Sequence, residues 1–325
     1  MGNIRWGIVG CGNVTEVKSG PGFQLAEGSE LQAVMRRNGE LAADYARRHH
    51  VPKWYDDADA LIGDPEVDAV YIATPPSTHK PYTLAVANAG KPVYVEKPMA
   101  MNAGECRDMI EACEAAGVPL FVAYYRRGLP RFLKIKQLLE MGAIGDIRFV
   151  TTVHTKKLTE DPNQLPWRVI PELSGGGHFF DLASHTLDIL DFLLGPVRDA
   201  SGRSANQGNA YKAEDIVSGS YVFESGVQGT GLWCFTGYAS GEVNEIVGSR
   251  GKLTFSTFGS EPIRLTTADG IGEYSLEQPK HIQQPLIQTI VNELRGIGTC
   301  PSTGRSALRT AKVMDELANL AASQR

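Results

Sequence analysis

The first 125 residues alternate short apolar runs with amphipathic stretches, and this alternation restricts the fold more than any other feature of the sequence. The apolar runs predict strands at Ile4–Val9, Leu31–Met35, Val67–Ala73, Pro92–Val95 and Leu120–Ala123. The amphipathic stretches predict helices through Leu41, Tyr45 and Ala46, over Thr78–Ala89 and over Ala103–Ala116. Strands that alternate with helices predict an α/β fold in which helices cover both faces of a mostly parallel sheet.

The later part of the chain groups its strands apart from its helices, which indicates an α+β domain. Its strands are predicted at Ile147–Thr155, Ile216–Phe223, Val227–Phe235, Val243–Val247, Lys252–Phe255 and Ile263–Thr266. Its helices are predicted at Pro130–Met141, His178–Leu194, Pro285–Arg295 and Arg305–Ala322. A chain of 325 residues is also about twice a common domain size. We therefore expect two domains, at residues 1–125 and 126–325.

Composition excludes several classes of function. The net charge is −5 and no Lys/Arg cluster is present, which argues against a nucleic-acid partner. The five cysteines form no C-x-x-C pair, and the seven histidines form no H-x-x-x-H motif, so neither a disulfide framework nor a metal site is expected. The N-terminal residues lack the apolar region of a signal peptide, and the uncharged stretch 225–241 is interrupted by glycines. We expect a cytoplasmic protein with no membrane partner.

A glycine motif follows the first predicted strand. In Gly10-x-Gly12-x-x-Thr15, the first glycine permits a sharp turn and the second lets a pyrophosphate approach backbone N–H groups at a helix start. Asn13 and Val14 begin that helix and are further candidate cofactor contacts. Thr15 stands where Gly or Ala is usual, and we expect it to loosen the packing of helix on strand slightly.

The end of the second predicted strand predicts the form of the cofactor. NAD-preferring dinucleotide folds place an acid there for the ribose 2′-hydroxyl, whereas this chain has Arg36 and Arg37. Two guanidinium groups attract a 2′-phosphate. The sequence therefore favours NADP, with NAD left open.

Four motifs in this order and spacing resemble the Gfo/Idh/MocA oxidoreductases over essentially the whole chain. They are Gly10-x-Gly12, Ala73-Thr74-Pro75-Pro76-x-x-His79, Glu96-Lys97-Pro98 and Gly175-Gly176-Gly177-x-x-x-Asp181-x-x-x-His185. The resemblance implies a Rossmann domain followed by a substrate-binding and oligomerisation domain with a large open, mostly antiparallel sheet. It also implies oxidation or reduction of sugars, polyols or related cyclic alcohols with NAD(P).

The resemblance further implies roles for individual residues. Lys97 would be the active-site lysine, Asp181 and His185 the other polar catalytic residues, and the Lys97–Pro98 peptide cis. Trp167 and Arg168 resemble a pair that contacts the nicotinamide end of the cofactor. Further implied cofactor contacts are Thr74, Pro75, His79, Glu96 and Lys97 itself. Tyr125, which follows the strand Leu120–Ala123, is a candidate substrate contact beside Lys97, Asp181 and His185.

The residue types support this chemistry independently. Asp181 and His185 are four residues apart, so both project from one helical face, and His178 and Asp188 extend this polar stripe. Hydride transfer between alcohol and carbonyl needs a group that moves the hydroxyl proton and a cation that stabilises the developing oxyanion. We predict acid–base catalysis by His185 and polarisation of the oxygen by Lys97, with their division of proton transfer open.

The predicted strand Val227–Phe235 bears on self-association. Val227, Leu232, Trp233 and Phe235 are too apolar to remain widely exposed. Together with the resemblance, they predict a homodimer or homotetramer.

Three other functions remain open. A nucleotide-binding regulator could keep the fold without the chemistry, although the presence of Lys97, Asp181 and His185 argues against it. A glycosidase with tightly bound NAD is opposed by Arg36 and Arg37. An enzyme that reduces an aryl diol or diketone is the third, and assays of nicotinamide absorbance with a substrate panel discriminate among them.

Overall fold

The computed structural model describes residues 2–161 and 163–319 and divides into two units. The first unit consists of the chain up to Leu129 together with the segment Gln278–Leu308. The second consists of Pro130–Glu277 and the chain from Arg309 onward. The first boundary thus follows Leu129 rather than residue 125, and the expected two-segment division did not include the return of residues 278–308 to the first unit.

Strands and helices agree closely with the predicted core elements. The strands are β1 (Ile4–Val9), β2 (Ser29–Met35), β3 (Lys53–Tyr55), β4 (Ala69–Ile72), β5 (Val93–Val95), β6 (Leu120–Val122), β7 (Ile147–Lys157), β8 (Val197–Ala205), β9 (Ile216–Phe223), β10 (Gln228–Gly237), β11 (Gly241–Gly248), β12 (Gly251–Phe255), β13 (Ile263–Thr267) and β14 (Gly270–Tyr274). The helices are α1 (Asn13–Val17), α2 (Gly20–Leu25), α3 (Gly39–Arg48), α4 (Ala58–Gly63), α5 (His79–Asn88), α6 (Ala103–Ala115), α7 (Pro130–Glu140), α8 (Pro171–Ser174), α9 (Ser184–Leu194), α10 (Gln284–Leu294) and α11 (Gly304–Ala318). None of the helices in the described ranges is both long and apolar enough to cross a bilayer.

The first unit contains a six-stranded parallel sheet in the order β3-β2-β1-β4-β5-β6. The chain connections run toward one edge of the sheet from β1 and toward the other edge from β4. In such sheets, ligands bind outside the carboxyl ends of the strands at this switch point. An aromatic cluster fills the core beneath the sheet: the ring of Tyr71 lies 4.7 Å from that of Tyr94 and 5.2 Å from that of Phe23. The predicted α/β class and Rossmann topology are confirmed.

The second unit contains an eight-stranded sheet in the order β14-β13-β12-β11-β7-β10-β9-β8. Every neighbouring pair is antiparallel except β7 and β10, which run parallel. The predicted large, mostly antiparallel sheet is therefore confirmed. Its central strand β7 alternates buried and exposed residues, so one face belongs to the core and the other faces outward.

The apolar segment on β10 is divided between these two faces, so only part of it is exposed for self-association. Trp233 and Phe235 are buried in the core, whereas Leu232 is 37% exposed. Val227, just before the strand, is also buried. Successive side chains of a strand point to opposite faces, and the sequence alone did not assign Trp233 to the inner one.

The predicted helix His178–Leu194 consists of two parts. Phe179–Ala183 forms a π-helical turn, and α9 continues from Ser184.

The predicted polar stripe is also corrected at its far end. Asp188 is buried and accepts a hydrogen bond from the hydroxyl of Thr310 of α11, so it belongs to the core rather than to an exposed polar surface.

Candidate active site

The glycine turn after β1 has the geometry of a phosphate-binding loop. Gly10 has φ +93°, and a Cβ there would lie 2.7 Å from Cγ2 of Thr74, so the position requires glycine. A Cβ on Gly12 would meet only the Gly10 carbonyl oxygen, at 3.9 Å. The backbone at Gly12 therefore faces the open space that a pyrophosphate needs, with exposed Asn13 and half-buried Val14 in the first turn of α1. The turn fits a dinucleotide.

Thr15 fixes this turn by hydrogen bonds that the sequence did not predict. Its hydroxyl oxygen accepts a hydrogen bond from the N–H of Gly12 at 2.9 Å and donates to the Gly12 carbonyl oxygen, also at 2.9 Å. The side chain is completely buried. Thr15 thus fixes the second glycine through reciprocal bonds that Gly or Ala could not form.

The end of β2 presents two cations and no acid. The side chains of Arg36 and Arg37 are exposed, and neither guanidinium forms a hydrogen bond or ion pair with a residue in the described parts of the chain. The next polar side chain, Asn38, accepts the N–H of Leu41 at 3.1 Å and so caps α3. Arg36 and Arg37 therefore remain available to an anion at the position that selects between the two cofactors.

His79 connects two loops at the same edge of the sheet. It is fully buried; its Nε2 lies 2.7 Å from the carbonyl oxygen of Thr74, and its Nδ1 lies 3.0 Å from that of Pro98. Burial lowers the pKa of His79, and the hydrogen bonds to the carbonyl oxygens oppose this effect. The side chain is occupied by protein contacts, and this favours positioning of the Thr74–Pro75 loop over a direct cofactor contact.

Glu96, which precedes Lys97 in the chain, is likewise held by hydrogen bonds within the protein. Its buried carboxylate accepts the hydroxyl of Tyr71 at 2.5 Å, the side-chain amide of Gln283 at 2.7 Å and the N–H of Lys97 at 3.1 Å. Burial, followed by the Glu96 charge, raises the pKa of Tyr71, which stays a hydrogen-bond donor. The Lys97–Pro98 peptide is cis, as predicted, and Lys97 itself is half-buried. Glu96 therefore fixes the backbone from which Lys97 projects.

Tyr125 begins the turn of 3₁₀-helix that follows β6. Its side chain is buried, and the guanidinium carbon of Arg126 lies 5.0 Å from the centre of its ring. The candidate residues of the first unit thus come together at one edge, after the ends of β1, β2, β4, β5 and β6.

The second unit groups another set of candidate residues around its π-turn. The guanidinium of Arg168 pairs with Asp181, with 3.1 Å between Nε and Oδ2, and its carbon lies 4.6 Å from the centre of the Trp167 ring. His185, one turn further on, is buried with its ring 5.7 Å from that of Phe258. The structure therefore brings together Trp167, Arg168 and Asp181, and π-helical turns are frequent at functional sites.

Sequence reasoning missed two polar residues near this helix, Glu160 and His154. Nε2 of His178 lies 2.6 Å from a carboxylate oxygen of Glu160, and both side chains are buried. The ring of His154, on β7, lies 5.3 Å from that of Phe258 and 5.7 Å from that of Phe235. His154 had no motif around it, because it occupies an inward position in an ordinary alternating strand. In residues 2–161 and 163–319, no group of three or more His, Cys, Asp or Glu side chains is arranged to hold a metal ion.

Comparison with family models identifies both parts of the chain. Residues 4–124 match the model described as the oxidoreductase family with an NAD-binding Rossmann fold. Residues 132–254 match the GFO/IDH/MocA C-terminal domain. Together the two matches cover the parallel sheet and most of the large mixed sheet.

Known proteins are similar over almost the whole length. The chain is 41% identical to Oxidoreductase P35 of Formosa agariphila over 317 residues, which cover 96% of this chain and 97% of that protein. It is 29% identical to the 1,5-anhydro-D-fructose reductase of Ensifer adhaerens, over 94% of this chain and 92% of that one. The crystal structure of aldose-aldose oxidoreductase from Caulobacter crescentus, complexed with glycerol, superposes with a TM-score of 0.87 at 25% identity, covering 99% and 98% of the two chains.

Proposed function

The chain belongs to the Gfo/Idh/MocA oxidoreductase family, and from this premise we propose that it is an NADP-dependent enzyme acting on a sugar, a polyol or a related cyclic compound. Membership makes the protein an NAD(P)-dependent oxidoreductase of CH–OH groups. The proposal adds the preference for NADP, the substrate class and the residues responsible. Similarity to an anhydrofructose reductase and an aldose oxidoreductase supports the substrate class.

The observation that carries the cofactor preference is the pair Arg36 and Arg37. Both guanidinium groups are exposed at the end of β2, and the neighbouring Asn38 is occupied as a helix cap. A 2′-phosphate would gain charge-assisted hydrogen bonds there, whereas a 2′-hydroxyl would lack the acid that accepts its hydrogen bond at this position in NAD-preferring folds. We therefore expect NADP(H) to bind more tightly than NAD(H).

The rest of the cofactor site follows the same sheet edge. Gly10, Gly12, Asn13 and Val14 would receive the pyrophosphate, because the Gly12 backbone faces open space at the start of α1. Further along the edge, the predicted contacts are Thr74, Pro75, His79, Glu96 and Lys97. Of these, His79 and Glu96 would act through the loops that they hold in place. Trp167 and Arg168 are proposed for the nicotinamide end.

The bound nicotinamide ring supplies the hydride donor or acceptor. His185 takes the hydroxyl proton when the alcohol is oxidised and returns it when the carbonyl is reduced, since an imidazole titrates near neutral pH. Lys97 stabilises the negative charge that develops on the reacting oxygen. Asp181 holds a neighbouring substrate hydroxyl or orients His185, and the guanidinium of Arg168 pairs with its carboxylate. Tyr125 is proposed as a further substrate contact.

A direct assay tests this proposal. The purified protein is mixed with NADP⁺ or NADPH and a panel of hexoses, anhydro sugars, inositols and aryl diols, and nicotinamide absorbance is followed. We expect turnover with at least one sugar or polyol and a higher kcat/KM with NADP(H) than with NAD(H). Turnover confined to aryl diols would contradict the substrate class, and absence of turnover with the whole panel would favour the regulator.

The outward face of the large sheet supports self-association. Leu232 on β10, Val153 on β7 and Val243 on β11 lie directly opposite one another in register, and each is more than a third exposed. Phe149, four residues before Val153, extends this apolar row on the same face. We propose that a second copy covers it, giving a homodimer or homotetramer. A cytoplasmic location also belongs to the proposal. It agrees with a thiol that stays protonated, because burial raises the pKa of Cys11 to about 11.

A further inference from the structure

The glycine segment before the π-turn is bound by an acid from a distant part of the second unit. Oε1 of Glu214 accepts the N–H of Gly177 at 2.7 Å. A Cβ on Gly177 would lie 2.5 Å from the Glu214 carbonyl oxygen and 3.0 Å from Cβ of Ala213. Gly177 is therefore glycine because the Glu214 segment packs directly against it.

The same peptide segment continues to Asp181. The carbonyl oxygen of Gly177 accepts the N–H of Asp181 at 3.4 Å, and the carbonyl oxygen of Asp181 in turn accepts the hydroxyl of Ser184 at 3.1 Å. Two hydrogen bonds therefore connect the Glu214 carboxylate to the backbone of Asp181 through one residue. Asp181 lies in a π-turn, whose hydrogen bonding is less regular than that of an α-helix, so an outside contact is well placed to fix it.

Glu214 has no cationic partner among the described residues. Its carboxylate makes no ion pair there, and the charge of Asp215, which acts on it, has the same sign. The titratable side chain of Tyr211 also interacts with it. Asp215 itself accepts the N–H groups of Gln207 and Gly208, at 2.8 and 2.6 Å. An acid retained in such surroundings costs stability, which indicates a task other than stability.

We propose that Glu214 is a positioning residue for Asp181, which it fixes through the peptide of Gly177. The inference rests on the role proposed above for Asp181. It assigns a part in the reaction to a residue outside the four motifs that identify the family, and it explains the third glycine of the Gly175-Gly176-Gly177 run as a contact requirement.

The strength of the hydrogen bond between the Gly177 N–H and Glu214 depends on whether the carboxyl group of Glu214 is ionised. An ionised carboxylate forms a stronger bond to the Gly177 N–H than a neutral acid does, and it lies near the positive start of the helical segment Phe179–Leu194. Burial raises the pKa of Glu214 to about 7. The bond to Gly177 therefore strengthens as the pH rises through neutrality.

Two variants separate this role from a merely structural one. Glu214→Gln keeps a neutral acceptor for the Gly177 N–H and cannot ionise, whereas Glu214→Ala removes the acceptor. The matched control is Glu224→Gln, which changes an exposed acid in the turn between β9 and β10. The kcat and KM of all four proteins are measured at pH values on both sides of 7 with the best substrate found in the panel.

We expect the ratio of the Glu214→Gln kcat to the wild-type kcat to be near one below the pKa of Glu214. The ratio should fall about threefold above it, because only the wild type then gains the charge-assisted bond. Division by the wild type removes every pH dependence that the two proteins share. Glu214→Ala should lower kcat about tenfold at every pH, with KM changed much less. A flat ratio for Glu214→Gln, or wild-type kcat in Glu214→Ala, overturns the proposal.

Hydrogen exchange tests the connection without turnover. Peptides that cover Gly177–His185 should exchange faster in Glu214→Ala than in the wild type and at the wild-type rate in Glu224→Gln, all at one pH. If the wild type turns over none of the panel, the proposed function fails, and this exchange comparison then decides the role of Glu214. Equal exchange in Glu214→Ala and wild type overturns it. Where Glu214→Ala does not fold, the pH dependence of Glu214→Gln decides.

Discussion

Nε of Arg168 lies 3.1 Å from Oδ2 of Asp181, so the residue expected at the nicotinamide end of the cofactor is also the ion-pair partner of a candidate catalytic acid. Arg168 is about half exposed and stacks on Trp167, which limits the directions that its guanidinium can take. The pair therefore couples the predicted cofactor contact to the orientation of Asp181.

Replacement of Arg168 separates these two roles. We expect Arg168→Gln to lower kcat/KM about tenfold, because Asp181 loses the cation that orients it. Arg168→Lys should recover part of the loss, since an ammonium keeps the charge without the planar geometry. The measurement is steady-state kinetics together with the Kd of NADPH. Arg148→Gln, at an exposed ion pair on β7, is the control and should behave as wild type. Wild-type kcat/KM in Arg168→Gln would contradict the coupling.

The cofactor preference is tested at the end of β2. We expect the wild type to bind NADPH more tightly than NADH by about 1–3 kcal/mol, the value of one or two hydrogen bonds to a charged group. Arg36→Ala combined with Arg37→Ala should remove most of this difference while the Kd of NADH stays nearly constant. Arg47→Ala, an exposed arginine of α3 paired with Asp44, is the control. Equal dissociation constants of the two cofactors for the wild type would refute the preference.

Thr15 should matter for both stability and cofactor binding. Thr15→Val keeps the shape of the side chain and removes both bonds to Gly12, so we expect a loss of about 1–2 kcal/mol in the free energy of unfolding and weaker NADPH binding. Thr15→Ser keeps the hydroxyl and should lose less. Urea unfolding and cofactor titration measure the two effects. Equal stability of the Val and Ser variants would show that the reciprocal bonds contribute nothing.

The outward sheet face gives a prediction about assembly. Leu232→Arg places a charge in the middle of the row formed with Val153 and Val243, and we expect it to convert the oligomer to a monomer. Ile271→Arg, on the edge strand β14 and 65% exposed, should leave the assembly intact. Light scattering at micromolar concentration provides the masses. A monomeric wild type would eliminate the proposed interface.

The sequence predicted the interior strands of both sheets and the edge strand β6, but it missed the other three edge strands. β3 lies at one edge of the six-stranded sheet, and β8 and β14 form the two edges of the other; none of the three was predicted. An edge strand pairs on one side only and is less buried, so it needs no long apolar run to be stable. The strands that were predicted, such as β1 and β9, carry continuous or alternating apolar residues.

The candidate site was predictable where a motif carries it and not where packing does. Gly10 and Gly12 stand at the spacing of a phosphate-binding turn, and Asp181 and His185 at the spacing of one helical face, whereas Lys97 follows from the resemblance to the family. The roles of Thr15, Glu96 and Glu214 could not be predicted from the sequence, because they consist of hydrogen bonds to residues that the fold brings near. Glu214 contacts Gly177 across 37 positions of the chain. No local pattern encodes such a contact.

We propose that His185 and Lys97 carry the chemistry, and the kcat of His185→Ala at saturating substrate and NADP(H) measures the contribution of His185. We predict a loss of about 10²-fold or more with the Kd of NADPH nearly unchanged, the size expected for lost proton transfer. Lys97→Ala should show a comparable loss, and the double variant should lose less than the two combined. His50→Asn, at an exposed position with a left-handed backbone that asparagine tolerates, is the control. A near-wild-type kcat in His185→Ala would contradict acid–base catalysis by His185.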